Sequence, residues 1–533
     1  MRPPRAIYVL SVLFFLQAWF FGIFVTLQGD IPDESGHYAY VIDITKGRPL
    51  PVLGQTDKGR GVISNNLWRD WGLPDGDRYN YIVQHPPLYY AVAAIPYSIA
   101  KHFTNNKVRL AQATRVVSAI CLGLLIFVCF RILTAVGVEE RLAIAVASWF
   151  GFIPTVTHLA SGITNDIFLT LMCALASLQL VRYLASHRLA NAYGCAFWLA
   201  CVGATKMTGW VLIAGILGIL IFELRRTGWK WLLHAAILSL ISCSTALWWM
   251  RRNIFFFGDP FYVGGSDGAV LATHYTRTNY LEQQPFFDWL FLHFYGLEGF
   301  SGFCNSAESL AVLERFCHGV RITVVQGISL NIFIWVGVAC ATLLLGATLF
   351  RVLRTAPANH EEASIASMQG LIHRGLTRIH ANKWLPATLL VLALGGTAWV
   401  YAHAFKLDPR YAYQIQAVAA LLAITGIAGL VLVFLSSSAD SRLLAYGPIL
   451  LCLFTLLLFL KGHEAYVIAQ RAAGIQGRYL YPFIPLLLAS FGIAIRQMRF
   501  ALPLCGLVTA LLAWAHLNAE INTLIPFFNM VRL

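Results

Sequence analysis

AIYVLSVLFFLQAWFFGIFVTLQG (Ala6–Gly29), followed at once by DIPDESGHYAYV (Asp30–Val41), decides how the rest of the chain is read. A charge-free run of this length exceeds the roughly 20 residues that a helix needs to cross a bilayer. It is also too long for a signal h-region and lacks a small-residue cleavage site. The run is therefore expected to be a retained first helix. Its N-terminus, behind MRPPR, is placed in the cytoplasm, and its far end opens onto three carboxyls, Asp30, Asp33 and Glu34.

The whole chain follows the same pattern. Of 533 residues, 58% are hydrophobic and only 12% carry full charge, against about 25% charged in soluble proteins. A soluble fold is excluded. Further windows with little or no charge lie near 111–131, 142–162, 166–186, 189–205, 207–224, 231–250, 322–350, 384–405, 411–435, 443–462, 479–495 and 500–520. With the first helix they predict an all-α polytopic membrane protein of about 13 spans. With the N-terminus inside, the short inner connections fall at Arg131–Arg141, Arg182–Arg188, Arg225–Lys230, around Arg442 and at Arg496–Arg499. Each contains Arg, as the positive-inside rule requires, and most of the acids fall on the other side.

The segment 86–103, PPLYYAVAAIPYSIAKHF, is apolar enough to span but short and interrupted by Pro96. Counting it as a span would turn the Arg-bearing loops outward. It is expected instead as a helix at the outer interface, with Tyr89, Tyr90 and Tyr97 at headgroup level. Two long outer loops then result, 28–107 and 251–320, with one inner loop at 351–383, all within a single domain covering 1–533. The net charge of +14 is spread as single residues between apolar runs, which speaks for topology rather than nucleic acid. Among the 11 cysteines there is no CxxC and no zinc spacing. Cys304 and Cys317 share the second outer loop, as a disulfide closing it or as two free thiols.

Chemistry-bearing residues gather at the outer helix ends. Pro32 and Asp33 fit the entry and cap of a short helix from Glu34 to about Lys46, and the same carboxyls fit a site at the membrane surface. QHPPLYY (Gln84–Tyr90) reads as a helix start with Pro in its first turn. SGITND brings Asn165 and Asp166, ATKMTGW brings Lys206, and WWMRRN brings Arg251, Arg252 and Asn253. LDPRYAYQ brings Arg410 and QGRYLYP brings Arg478. Each cation also fits an interfacial snorkelling residue. Their convergence on one face, together with the carboxyls, is what points to function.

PDESGHYAYV, HPPLYY, SGITND, ATKMTGW, WWMRRNIFFFGDPF and QGRYLYP, in that order, resemble the GT-C superfamily of integral-membrane glycosyltransferases. Within it the chain is similar to a bacterial group of predicted membrane proteins. More distantly it resembles the aminoarabinose transferases of lipid A and the protein O-mannosyltransferases. It departs from the former in having His85 where they carry Lys before the proline motif. With only about a dozen residues after the last expected span, it is also expected to lack their C-terminal periplasmic domain.

The resemblance implies a GT-C-like bundle with juxtamembrane helices in the first outer loop and a site facing the periplasm. It implies an inverting transfer from a polyprenyl-phosphate sugar to a hydroxyl on a glycan, lipid or protein. Asp33 is then the general base, Glu34 its partner in the acidic pair, and Asp166 a third carboxylate that orients the acceptor or tunes the base. Arg478 is the first candidate for the donor phosphate because a guanidinium binds two phosphate oxygens at once, with His85, Arg252, Lys206 and Arg410 behind it. His37, Tyr38, Tyr89, Asn165 and Tyr479 are expected to contact substrate. Some members of the superfamily use a divalent metal with acidic pairs, and the sequence offers no ligand set that decides the point. Two other readings use the same membrane setting. One is a transporter or flippase of a lipid-linked or small solute, which would place ionisable groups mid-bilayer on broken helices in inverted repeats. The other is a polysaccharide polymerase or ligase.

Overall fold

A computed structural model describes residues 3–29, 31–47, 80–225, 230–262, 439–469, 476–496, 498–521 and 525. Among these residues every regular element is helical. The expected spans at 322–350, 384–405 and 411–435 lie outside the described residues, as do the 351–383 loop, Asp30, Arg410, Cys304 and Cys317.

Helix α1 (Arg5–Phe20) runs on through a π-helical turn, Phe21–Val25, to make the first span. α2 (Glu34–Thr45) and α3 (Leu88–Lys101) are short helices of the first loop. α4 (Lys107–Ala135), α7 (Asn165–Ser186), α9 (Trp210–Leu224) and α10 (Trp231–Phe257) follow as spans, with the shorter α8 (Leu189–Gly203) between α7 and α9. Near the C-terminus come α11 (Ala439–Ala469), α12 (Ile484–Ile495), entered through a 3₁₀ segment at Gly477–Phe483, and α13 (Ala501–Ala519). Six helices among the described residues are long and apolar enough to cross a membrane, or seven if a bent pair counts as one span. The chain is thus a multi-pass membrane protein.

That bent pair corrects the sequence reading. The window 142–162 is two helices, α5 (Glu140–Gly151) and α6 (Pro154–Ala160), set at 69°. Pro154 starts the second helix, where its missing N–H leaves nothing unpaired, so apolarity continues while the helix does not.

α7 is the centre of the bundle, with 83% of its apolar window buried, whereas α10 at 22% faces outward. α4 packs against α1, α3, α5 and α7, and α7 against α8. The exposed side of α1 is a row of Tyr8, Val9, Val12, Leu13, Leu16, Trp19, Phe20 and Phe24, the surface a lipid environment stabilises. Gln17 donates to Glu520 at 2.8 Å and lies 2.6 Å from His516, joining α1 to the C-terminal end of α13 through polar groups.

Connections expected on one side do meet. Arg496 donates to the Val136 carbonyl at 2.6 Å and pairs with Asp440. Arg442 grips Glu223 through two bonds of 2.6 and 2.9 Å, while the Tyr446 hydroxyl donates to the same carboxylate at 2.5 Å. The three elements expected inside at 131–141, 442 and 496–499 therefore share one end of the bundle.

α3 is shorter than a span at 14 residues, which agrees with an interfacial helix. Its tyrosines, however, are not at its lipid face. Tyr89, Tyr90 and Tyr97 are buried, and the residues turned outward are Ile95, Ile99 and Phe103. Hydroxyl partners inside the protein decide this: Tyr89 bonds Ser118 at 3.1 Å and Tyr90 bonds His37 at 2.9 Å.

Candidate active site

Two carboxylates adjacent in sequence have separate places. Asp33 holds φ = 65°, the left-handed region that Asp tolerates better than most residues. It precedes α2, yet its side chain makes no cap hydrogen bond, so helix capping does not explain it. The carboxylate instead accepts from Arg478 Nη2 at 3.3 Å and keeps 30% of its side-chain surface exposed.

Glu34 turns away into the protein, with 1% exposed. Its Oε1 accepts from Arg115 Nε at 2.7 Å and the Ile163 N–H at 3.0 Å. Its Oε2 accepts from Arg115 Nη2 at 2.7 Å and the Gly29 N–H at 2.9 Å. Arg115 spends its other donors on the carbonyls of Gly22, Thr26 and Leu27 at 2.7 to 2.9 Å. A guanidinium has five N–H groups, and all five are matched here. The pair ties the end of α1 and the loop before α7 to the turn that carries Asp33.

Asp166 sits in the first turn of α7, which Thr164 caps through its hydroxyl. It is buried between two cations, Lys206 Nζ at 2.5 Å and Arg478 Nε at 3.4 Å. Lys206 comes from the α8–α9 turn and Arg478 from the 3₁₀ segment before α12, where Gln476 accepts from its Nε at 3.0 Å. Tyr479 lies beneath both, its ring centroid 5.2 Å from Lys206 Nζ and 5.8 Å from the Arg478 guanidinium carbon. Burial, offset in part by Asp166, pulls Lys206 below the usual lysine range.

His37, on the second turn of α2, pairs its Nδ1 with the Tyr90 hydroxyl, which also accepts from Asn165 Nδ2 at 3.1 Å. His85 is held by its surroundings. Asn80 fixes the preceding turn to α2 through the Gly36 carbonyl at 2.7 Å, Trp249 Nε1 donates to the Gln84 carbonyl at 2.9 Å, and the Leu88 N–H donates to Ala204. The His85 carbonyl accepts from the Tyr40 hydroxyl at 3.4 Å, and Tyr40 stacks on Tyr90 at 4.0 Å, which sets His85 beside the same groups. Burial, aided by Lys206, pushes His37 down to about 3 and His85 well below the usual histidine range. Burial thus favours the neutral imidazole at both positions, a form that still offers one N–H to a phosphate oxygen.

The structure therefore brings together Asp33, His37, His85, Asn165, Asp166, Lys206, Arg478 and Tyr479. Tyr38, Tyr89 and Arg252 have contacts with other groups. Tyr38 packs on Tyr97 and reaches the Lys107 carbonyl, Tyr89 turns to Ser118, and Arg252 lies 4.3 Å over the Trp249 ring and donates to Asn253. Two residues went unread in the sequence. Arg115 stands alone inside the apolar run of α4, and a lone intramembrane charge demands a partner. Tyr90 was placed at the headgroups. Among the described residues, no group of three or more His, Cys, Asp or Glu is placed to hold a metal ion.

The family model described as dolichyl-phosphate-mannose-protein mannosyltransferase matches residues 84–249. That stretch carries His85, Asn165, Asp166 and Lys206, and the match bears out the GT-C resemblance read from the motifs. No curated protein matches the chain. Among solved structures it is similar to the oligosaccharyltransferase of Archaeoglobus fulgidus in the apo form, at 14% identity over 92% of this chain and 56% of that one, with a TM-score of 0.35. It is also similar to ArnT from Cupriavidus metallidurans bound to undecaprenyl phosphate, at 14% identity over 96% of this chain and 77% of that one, TM-score 0.32. The chain spans 56% of the length of the archaeal structure. Likenesses this loose assign no residue.

Proposed function

We propose that the protein is a membrane glycosyltransferase that moves a sugar from a polyprenyl-phosphate donor to an acceptor hydroxyl on the outer face of the membrane. One observation carries the reading: Asp33 is the partly open carboxylate beside a buried group of two cations, Lys206 and Arg478, and one anion, Asp166. In the step, the acceptor oxygen attacks the anomeric carbon, its proton passes to Asp33, and the bond from that carbon to the phosphate oxygen breaks. Attack opposite the leaving group inverts the centre. The departing lipid phosphate takes up negative charge, and Arg478 and Lys206 are the groups positioned to receive it.

Asp166 keeps these cations in place, and Glu34 with Arg115 positions the Asp33 turn. A general base contributes about 10²–10⁴ in rate. Asp33→Asn in the purified chain is therefore expected to lose about that factor in transfer from an undecaprenyl-phosphate sugar while still binding it. Turnover within threefold of wild type would remove Asp33 as the base.

A further inference from the structure

Arg478 serves two carboxylates at once. Its Nη2 donates to Asp33 at 3.3 Å, while its Nε lies 3.4 Å from Asp166 and donates to Gln476 at 3.0 Å. The two acids are held unequally. Asp166 is buried and also has Lys206 Nζ at 2.5 Å, whereas Asp33 keeps 30% of its side-chain surface exposed and meets the guanidinium at the long end of hydrogen-bond range. An ion pair with an exposed partner contributes little to stability. Of these contacts, the one between Asp33 and Arg478 is therefore the first to give way to a competing anion.

The side chains of Arg478 and Lys206 are 2% and 5% exposed. The cations assigned to the donor phosphate are thus covered, and one of the groups covering Arg478 is the base itself. A phosphate oxygen and the Asp33 carboxylate need the same N–H and carry the same sign of charge, so one displaces the other. A phosphate also presents its oxygens to a guanidinium fork in parallel, a stronger arrangement than the 3.3 Å bond to Asp33.

We propose that Asp33 is a displaceable cover on Arg478: the donor phosphate takes the guanidinium from the carboxylate, and the displaced carboxylate turns to the acceptor hydroxyl. This rests on the glycosyltransferase reading and adds the order of its steps, donor before acceptor, because the base is withheld until a lipid phosphate is in place. The charges balance through turnover. As the acceptor oxygen bonds to the anomeric carbon, its proton passes to Asp33, and the electron pair of the broken carbon–oxygen bond stays on the phosphate. Asp33 loses its negative charge as the phosphate gains one, so Arg478 stays with the phosphate. When Asp33 then gives its proton to water, the restored carboxylate competes for Arg478 again and favours release of the lipid phosphate.

Two measurements on the purified full chain in lipid nanodiscs test this, both with undecaprenyl phosphate as the probe. In the first, carboxyls of the wild-type chain are labelled with carbodiimide and glycine ethyl ester and read by peptide mass spectrometry. Labelling of Asp33 is expected to rise about twofold or more when the lipid binds, because the carboxylate leaves Arg478. A fixed ion pair that the lipid merely covers gives unchanged or reduced labelling, and that result overturns the cover. In the second, native mass spectrometry compares lipid binding by wild type and Asp33→Asn. Asn also tolerates the left-handed backbone found at position 33, φ = 65°, so the substitution keeps the turn and removes the competing charge. The variant is expected to bind undecaprenyl phosphate about threefold to fivefold tighter than wild type. A gain of less than twofold, or weaker binding, overturns the cover and leaves the lipid-phosphate site standing. The labelling uses the wild-type chain, so it decides even where the variant misfolds. Failure of the wild-type chain to bind undecaprenyl phosphate would sink the glycosyltransferase reading and the cover with it.

Discussion

Replacing Glu34 by Gln tests the division of labour between the two neighbouring carboxyls. The substitution keeps shape and volume but turns one of the two oxygens into an NH₂ group. Whichever oxygen is lost, one Arg115 N–H and one backbone N–H lose their acceptor, because each oxygen serves one of each kind. The guanidinium, 2% exposed, would then sit without its counter-charge. Breaking a buried pair from one side costs about 3–5 kcal/mol.

Unfolding of the purified chain in mixed micelles with rising SDS is the assay, and the variant should lose stability by about that amount. Glu34→Gln with Arg115→Met, which removes both charges, should regain a large part of it. A single variant within about 1 kcal/mol of wild type would refute the buried-clamp account and return Glu34 to the list of chemical groups.

Three further outcomes follow from the geometry. Arg478→Lys removes the planar fork that reaches Asp33 and Asp166 together, and transfer should fall by about 10² or more in a radiolabelled-donor assay. His37, pushed to about 3 by burial, stays neutral in the fold while the unfolded chain takes up a proton near pH 6.5. The unfolded state binds more protons, so stability is nearly complete above pH 6.5 and falls with pH, by about 2.3 kcal/mol between 6.5 and 4.5 from this group, and His37→Gln should flatten that slope in unfolding measured against pH. Glu223→Gln should destabilise the fold by about 3–5 kcal/mol through the stranded Arg442, leaving binding of undecaprenyl phosphate within twofold of wild type when measured by native mass spectrometry.

Among the described residues the sequence carried most of the apolar helices and the gathering of polar helix ends, because hydropathy and the Arg-bearing turns are local signals. Asp33, His85, Asp166, Lys206 and Arg478 each stand where a helix meets a loop, and helix ends on one side of a bundle are close whatever the packing. What stayed hidden depends on three-dimensional partners. Asp33 and Glu34 differ by one residue, yet the left-handed backbone at Asp33 and the entry into α2 send them to opposite sides. Arg115 reads as an impurity in an apolar run until Glu34 is seen against it. The neutrality of His85 follows from burial that no motif encodes, and the break at Pro154 lies within continuous apolarity.

The central claim, that this site transfers a sugar from a lipid phosphate, is tested most directly by the mass of surface glycans from cells carrying the wild-type chain or Asp33→Asn at equal membrane abundance. The account predicts that the Asp33→Asn cells lack one sugar unit on a single class of glycan, lipid or protein and accumulate the donor lipid. Identical masses in the two strains would contradict it.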